Sequence, residues 1–183
     1  MKQVALLAVL IICAVWGSAQ SPDFSDPQTA EGMVKQISNV AGLSTHFKLK
    51  TSDKVVVSEA YIRHRKHYIL YNPIFFNGVS RITNDKWATI ALLAHEIGHH
   101  VKKHTARKGG NAHEIELQAD EFAGVVLRKM GATLEQAQAV MYYISTIKGS
   151  TSHPGREDRL LAISRGWNNT IGNTMANLAK SSL

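Results

Sequence analysis

The stretch 87–101, ending in Ala94-His95-Glu96-Ile97-Gly98-His99-His100-Val101, restricts the fold more than any other part of the chain. Trp87, Ile90, Ala91, Ala94, Gly98 and Val101 recur at helical spacing, while Leu92, Leu93 and Ile97 fill other faces. A helix that is apolar on several sides has to be surrounded, so this one is expected at the centre of the domain, capped by Thr83 or Asn84.

The flanking patterns supply its surroundings. Residues 29–40 repeat Met33, Val34, Ile37 and Val40 at loose helical spacing and stop at Gly42. Between Phe47 and Tyr71 the pattern turns to strands, at Val55-Val56-Val57, at 60–63 and at 67–71, closed by Asn72-Pro73. A polar loop with Gly109-Gly110-Asn111 precedes a second helix over 112–130, with Gly131 where a left-handed cap belongs. Thr133-Leu134-Glu135-Gln136 is a capping box opening a third helix to about Ile147. Pro154 suits the first turn of a fourth, which is expected to end before Gly166. The expected fold is α+β: a mostly helical domain over 29–166 with a small antiparallel sheet beside the central helix. A linker over 20–28 precedes it and a weakly helical tail over 167–183 follows.

Lys2 and the apolar run 4–16 read as a secretory leader, too short to span a bilayer comfortably. Gly17-Ser18-Ala19 places small residues at a cleavage site after Ala19, which implies a periplasmic or secreted protein. The single cysteine, Cys13, lies inside that leader, so the mature chain is expected to lack disulfides, thiolate ligands and a cysteine nucleophile. Bulky Ile12 before Cys13 argues against a lipoprotein site; an uncleaved anchor or buried amino-terminal helix is the alternative reading of the segment. The formal charge of +7 gathers at Arg63, Arg65 and Lys66 and at Lys102, Lys103, Arg107 and Lys108. Such a surface suits anionic lipids, cell-envelope polymers or acidic substrates, or is simply a solvated face. No nucleic-acid motif accompanies it, so DNA and RNA are not expected partners.

Two histidines four residues apart on a helix lie about 40° apart in rotation, so His95 and His99 can turn both imidazoles to one ion. Glu96, beside the first, can reach a water on that ion and take its proton. The pattern alone is weak; it needs a third ligand. In the next helix Glu116 and Asp120 stand four apart, near Ala112, Ala119 and Ala123, whose small side chains allow close approach. Glu116 would complete a His2Glu set for zinc with a fourth position open, and Asp120 could accept the spare N–H of a ligating histidine. Gly98, with no side chain, would let another element pack close.

Other groups compete. His100 and His104 share the spacing but face away from His95 and His99, and Val101 occupies the glutamate's place, so they read as exposed polar residues. Glu114 lies opposite Glu116 and is the weaker ligand. His113 could be a ligand or proton donor. Tyr142 and Tyr143 are candidate oxyanion donors, though aromatic residues in such a helix are more often core. A third histidine in an elongated motif would require Gly and His where Lys102 and Thr105 stand, which excludes a metzincin.

HEIGHH, then ELQADEFAG, then SHPGREDRL, in that order, resemble the gluzincin metalloendopeptidases of the HtpX and CAAX prenyl protease type, here without their transmembrane helices. The similarity covers about 68–166. It implies His95, His99 and Glu116 as zinc ligands, Glu96 as catalytic base and Asp120 as the carboxylate behind the ligands. It implies that His153-Pro154 and Arg159 pack near the cleft, and that an edge strand around 67–71 pairs with an extended peptide or unfolded protein substrate. His153 could donate to the oxyanion, occupy the open metal position in a resting form, or simply cap nearby backbone. Arg159 could stabilise the site or pair with Glu157 or another surface acid. Three readings follow: an active extracytoplasmic zinc endopeptidase, a zinc-bound or self-inhibited interaction module of the same fold, and a binding domain with a chance motif.

Overall fold

The computed structural model describes residues 22–106 and 111–181, with side chains to residue 169. The leader with Cys13 and the cleavage site, and the basic residues Arg107 and Lys108 with Gly109 and Gly110, lie outside the described residues.

Helix α1, Pro27–Ala41, starts where the Asp26 carboxylate accepts the Gln28 N–H and ends at Gly42, whose φ of 68° gives the left-handed cap. It takes in Pro27 and Gln28 from the expected linker. Three strands follow, β1 Phe47–Thr51, β2 Ser58–Arg63 and β3 Lys66–Tyr71, in the order β1-β3-β2. The sheet is mixed rather than antiparallel. β2 and β3 form a hairpin through His64-Arg65, both at positive φ, while β1 runs parallel to β3 on its other side. The link between β1 and β2 must therefore pass over the end of β3. Ser52 N–H donates to the Tyr71 carbonyl, Asn72 N–H to Val57 and the Asn72 amide to Val55. Those bonds make Val55-Val56-Val57 an irregular strap instead of the expected strand.

Asn72-Pro73 does more than end β3. The Asn72 side chain accepts from Ile74 N–H and Phe75 N–H, Pro73 fills the first turn, and α2 runs Pro73–Thr83 as a helix the apolar pattern had not suggested. Asn84, expected as a possible cap for the central helix, instead closes α2 in the left-handed conformation, and Asp85 caps α3, Lys86–Val101. Helix α3 is buried from Ala88 to Gly98, as its apolar faces required.

Helix α4, Ala112–Met130, ends at Gly131 with φ 97°, and the capping box at Thr133 and Gln136 opens α5, Leu134–Ile144. Helix α5 stops earlier than expected, and the Arg156 guanidinium holds the Ser145 carbonyl just past its end. The last helix, α6, begins at Arg156, two residues after Pro154, and runs without a break to Ser181. Gly166 is no stop. A methyl group there would strike the Glu121 carbonyl of α4, and one on Gly124 would strike the Ile163 carbonyl of α6. These glycines permit two helices to cross at backbone contact. One core joins these elements, with Tyr71, Phe76, Ile90, Leu93, Ile97, Leu127, Met141 and Ile163 essentially inaccessible. Among the described residues no helix is long and apolar enough to cross a membrane.

Candidate metal centre

The last two turns of α3 aim His95 and His99 at the middle of α4. Gly98 sets the spacing, because a methyl group there would lie 3.1 Å from the Ala119 Cα. Glu116 comes to meet both rings. His95 Nε2 is 3.1 Å from His99 Nε2 and 3.4 Å from Glu116 Oε2, and His99 Nε2 is 3.4 Å from Glu116 Oε1. Ligands about 2.0–2.1 Å from a tetrahedral ion stand roughly 3.3 Å apart. The two imidazole nitrogens stand near that separation and each lies 3.4 Å from one oxygen of the Glu116 carboxylate, so the three residues form the cluster able to hold a metal ion among the described residues. A chance motif would not bring Glu116 to this point from another helix.

Behind His95 lies a buried ionic support. Asp120, fully buried, accepts from His95 Nδ1 at 2.8 Å and from Arg159 Nη2 and Nε at 2.8 and 2.7 Å, so both its oxygens are engaged. Since the carboxylate only accepts, His95 Nδ1 carries hydrogen and Nε2 faces the cluster. Burial works against charge on His95, yet attraction to Asp120 and hydrogen bonds to Asp120 and Glu116 raise its pKa to about 10. Glu116 is held well below the usual carboxylate range: burial opposes this, and the bonds to His95 and His99 outweigh it. Asp120 is lowered in the same way by His95 and Arg159, again against desolvation. Arg159, buried in α6, is held more firmly protonated by Asp120 and Glu116 despite desolvation. Its partner is Asp120, not the surface acid Glu157, and it also stands 3.8 Å from Glu116 Oε2.

Glu96 is buried beside the ligands, and Ser58 Oγ, at the start of β2, donates to its Oε1 at 2.8 Å. Sequence reasoning missed Ser58, since nothing in a local pattern ties residue 58 to residue 96. His153 sits at the rim, exposed, with Nε2 3.7 Å from Glu116 Oε2 and Nδ1 2.8 Å from Ser152 Oγ. The cleft over these groups encloses about 580 Å³. Val55, Val57, Leu92, Met141 and Ile144 line its apolar side; His95, Glu96, Glu116, His153 and Arg159 line the polar one.

Several expectations change. His100 is buried, not exposed: Nε2 donates to the Tyr68 carbonyl at 2.9 Å, and Nδ1 meets His67 Nδ1 at 3.1 Å and Thr105 Oγ1 at 3.3 Å. Desolvation pushes its pKa down to about 4. His104 is half-buried, 3.1 Å from His99 Nδ1, and burial lowers its pKa also. His113 turns away and donates to the Ser150 carbonyl at 2.7 Å. Tyr142 and Tyr143 are neither core nor cleft residues; both are more than half exposed. The strand bordering the site is β2, because β3 is paired on both sides and has no free edge.

Comparison of the chain with protein-family models, curated proteins and solved structures gave no match. The site must speak for itself, and it is specific. His95-Glu96-x-x-His99 with Glu116 from the following helix matches the HExxH-plus-glutamate motif of the zincins, consistent with the gluzincin metallopeptidases that the sequence resembles, and forms a zincin-type catalytic metal site.

Proposed function

We propose that the chain is a zinc-dependent endopeptidase that hydrolyses peptide bonds in extended peptides or unfolded proteins outside the cytoplasm. The observation that carries this reading is the convergence of His95, His99 and Glu116 in an open cleft with Glu96 alongside. Two nitrogen ligands and one oxygen ligand with a free fourth position suit catalytic zinc. Zinc held there supplies Lewis acidity toward a water and toward the substrate carbonyl.

The chain's own groups would do the rest. Ser58 occupies Oε1 of Glu96, which leaves Oε2 to take a proton from the attacking water and return it to the leaving amine. Asp120 and Arg159 hold His95, and Arg159 adds positive charge behind Glu116. His153 at the rim would donate to the developing oxyanion. The free edge of β2 would pair with an extended substrate, its side chains alternating toward the apolar wall of Leu92, Met141 and Ile144. Cleavage of a leader after Ala19 would release the domain into the periplasm or outside the cell. The hairpin cations Arg63, Arg65 and Lys66 would favour contact with the envelope.

One observation favours a second reading, a zinc module that restrains itself. His153 lies close enough to Glu116 to approach the open ligand position. Higher turnover in His153→Ala would support restraint; lower turnover would assign His153 to the reaction. The main reading is tested by metal analysis of the mature protein with casein cleavage before chelation, after chelation and after zinc is restored. One zinc per chain and cleavage lost and regained is the expected result; cleavage indifferent to chelator would overturn it.

A further inference from the structure

We propose that His104, Gln118 and Glu114 form a hydrogen-bond relay that fixes the tautomer of His99 and thereby sets how tightly the site holds its metal. The inference rests on the metal-site reading above and adds residues to it.

The direction of the relay follows from which atoms can donate. Glu114 at the surface has an acceptor carboxylate, and Gln118 Nε2 donates to its Oε1 at 2.8 Å. That orientation turns Gln118 Oε1 to His104, 3.0 Å from Nε2. An amide oxygen only accepts, so His104 Nε2 carries the hydrogen and, in the neutral ring, Nδ1 carries the lone pair. His104 Nδ1 in turn lies 3.1 Å from His99 Nδ1. Two lone pairs at that distance would repel, so His99 Nδ1 holds hydrogen and Nε2 is left free. His99 Nε2 is the atom that faces His95 and Glu116. Every step agrees with a metal ligand at that position.

The backbone shows that this placement is built. Continued as helix, residue 104 would stand about 140° around from His99. Instead Lys103 takes φ 61°, and a 3-10 turn, His104–Ala106, folds back. A residue other than glycine in that region carries a conformational cost. The turn that incurs it brings the His104 ring against His99.

Zinc affinity of the full mature chain, read by competition with a chromophoric chelator, tests the relay. His104→Ala is expected to weaken binding about ten- to hundredfold. Gln118→Leu should weaken it less, and Glu114→Ala least. Zinc-loaded wild-type protein labelled with 15N should show slowly exchanging imidazole Nδ1–H protons on two rings, the first His95 and the second His99, beside the Nε2–H of buried His100. His104→Ala should lose the second alone, a change that general loosening of the fold would not confine to one ring. Gln118→Leu carries the same test if the first variant folds poorly. Affinities of both variants within about twofold of wild type, with both N–H signals kept, would overturn the relay and leave the metal site standing. A wild-type chain that binds no zinc would instead overturn the underlying reading, and the relay with it.

Discussion

The two histidines of the site are held in opposite ways. His95 gives its hydrogen to a fully buried carboxylate that Arg159 grips with two nitrogens, whereas His99 meets a half-buried neutral ring whose partners run out to Glu114 at the surface. A buried charged support fixes a ring firmly but ties it to the surrounding fold. A neutral surface support can be removed while the fold persists. One half of the site is therefore structural as well as chemical, and the other is close to purely chemical.

The largest expected effect breaks the buried half. Asp120→Ala strips Arg159 of both its short ion-pair bonds, leaving the buried charge only Glu116 at 3.8 Å, and should cost about 3–5 kcal/mol, read as a shift in urea unfolding of the metal-free chain. Replacing Asp120 and Arg159 together by Leu and Met should restore most of that stability but not zinc affinity. Recovery of both would show that Asp120 does not orient His95.

Titration sharpens the contrast. His100, behind His99, has its pKa depressed to about 4 from 6.5, so its neutral form stabilises the fold above pH 6.5 and that stability is lost as pH falls toward 4. The full loss amounts to about 3 kcal/mol. Asp120 is lowered from 3.8, so its contribution survives this window and fades only in stronger acid. His95 works in the other direction: raised to about 10, it stabilises the metal-free chain fully below 6.5 and loses that effect as pH rises toward 10. Urea unfolding across pH should show stability falling between pH 6.5 and 4 in wild type, with a flatter curve in His100→Gln.

A smaller effect reaches the buried half from outside. Gly124→Ala would push α6, which carries Arg159, off α4 at a cost of about 1–3 kcal/mol, with weaker zinc binding as a consequence. The smallest lies beyond both halves. Ser58→Ala should lower kcat by about 1 kcal/mol of barrier, several-fold in rate, with KM and zinc affinity little changed and Ser58→Thr recovering most of the loss. An equal effect on zinc affinity would make Ser58 a support of the metal site instead of a partner of Glu96.

The same division marks what was legible in the sequence. His95, Glu96, His99, Glu116 and Asp120 lie on two regular helices, where spacing alone dictates which side chains share a face, and the caps at Gly131 and Thr133 were equally plain. His104 was misjudged because its position depends on one left-handed residue, Lys103, which helical projection cannot anticipate. Val55-Val56-Val57 has strand composition, but its course is dictated by where β3 ends. Gly166 resembles a helix stop in isolation and becomes a packing residue only when α4 lies against it. Local periodicity reached the half of the site that sits on helices. It did not reach what turns and crossings bring in.

Glu96 adjoins both halves and ligates in neither, so it gives the most direct test of a catalytic zinc site. Turnover of a quenched-fluorescent unfolded protein by zinc-loaded wild type and Glu96→Gln, matched for one metal per chain, measures its role. The expected result is full metal content with cleavage reduced at least about 100-fold. Undiminished cleavage by the fully loaded variant would contradict the assignment of Glu96 as the base.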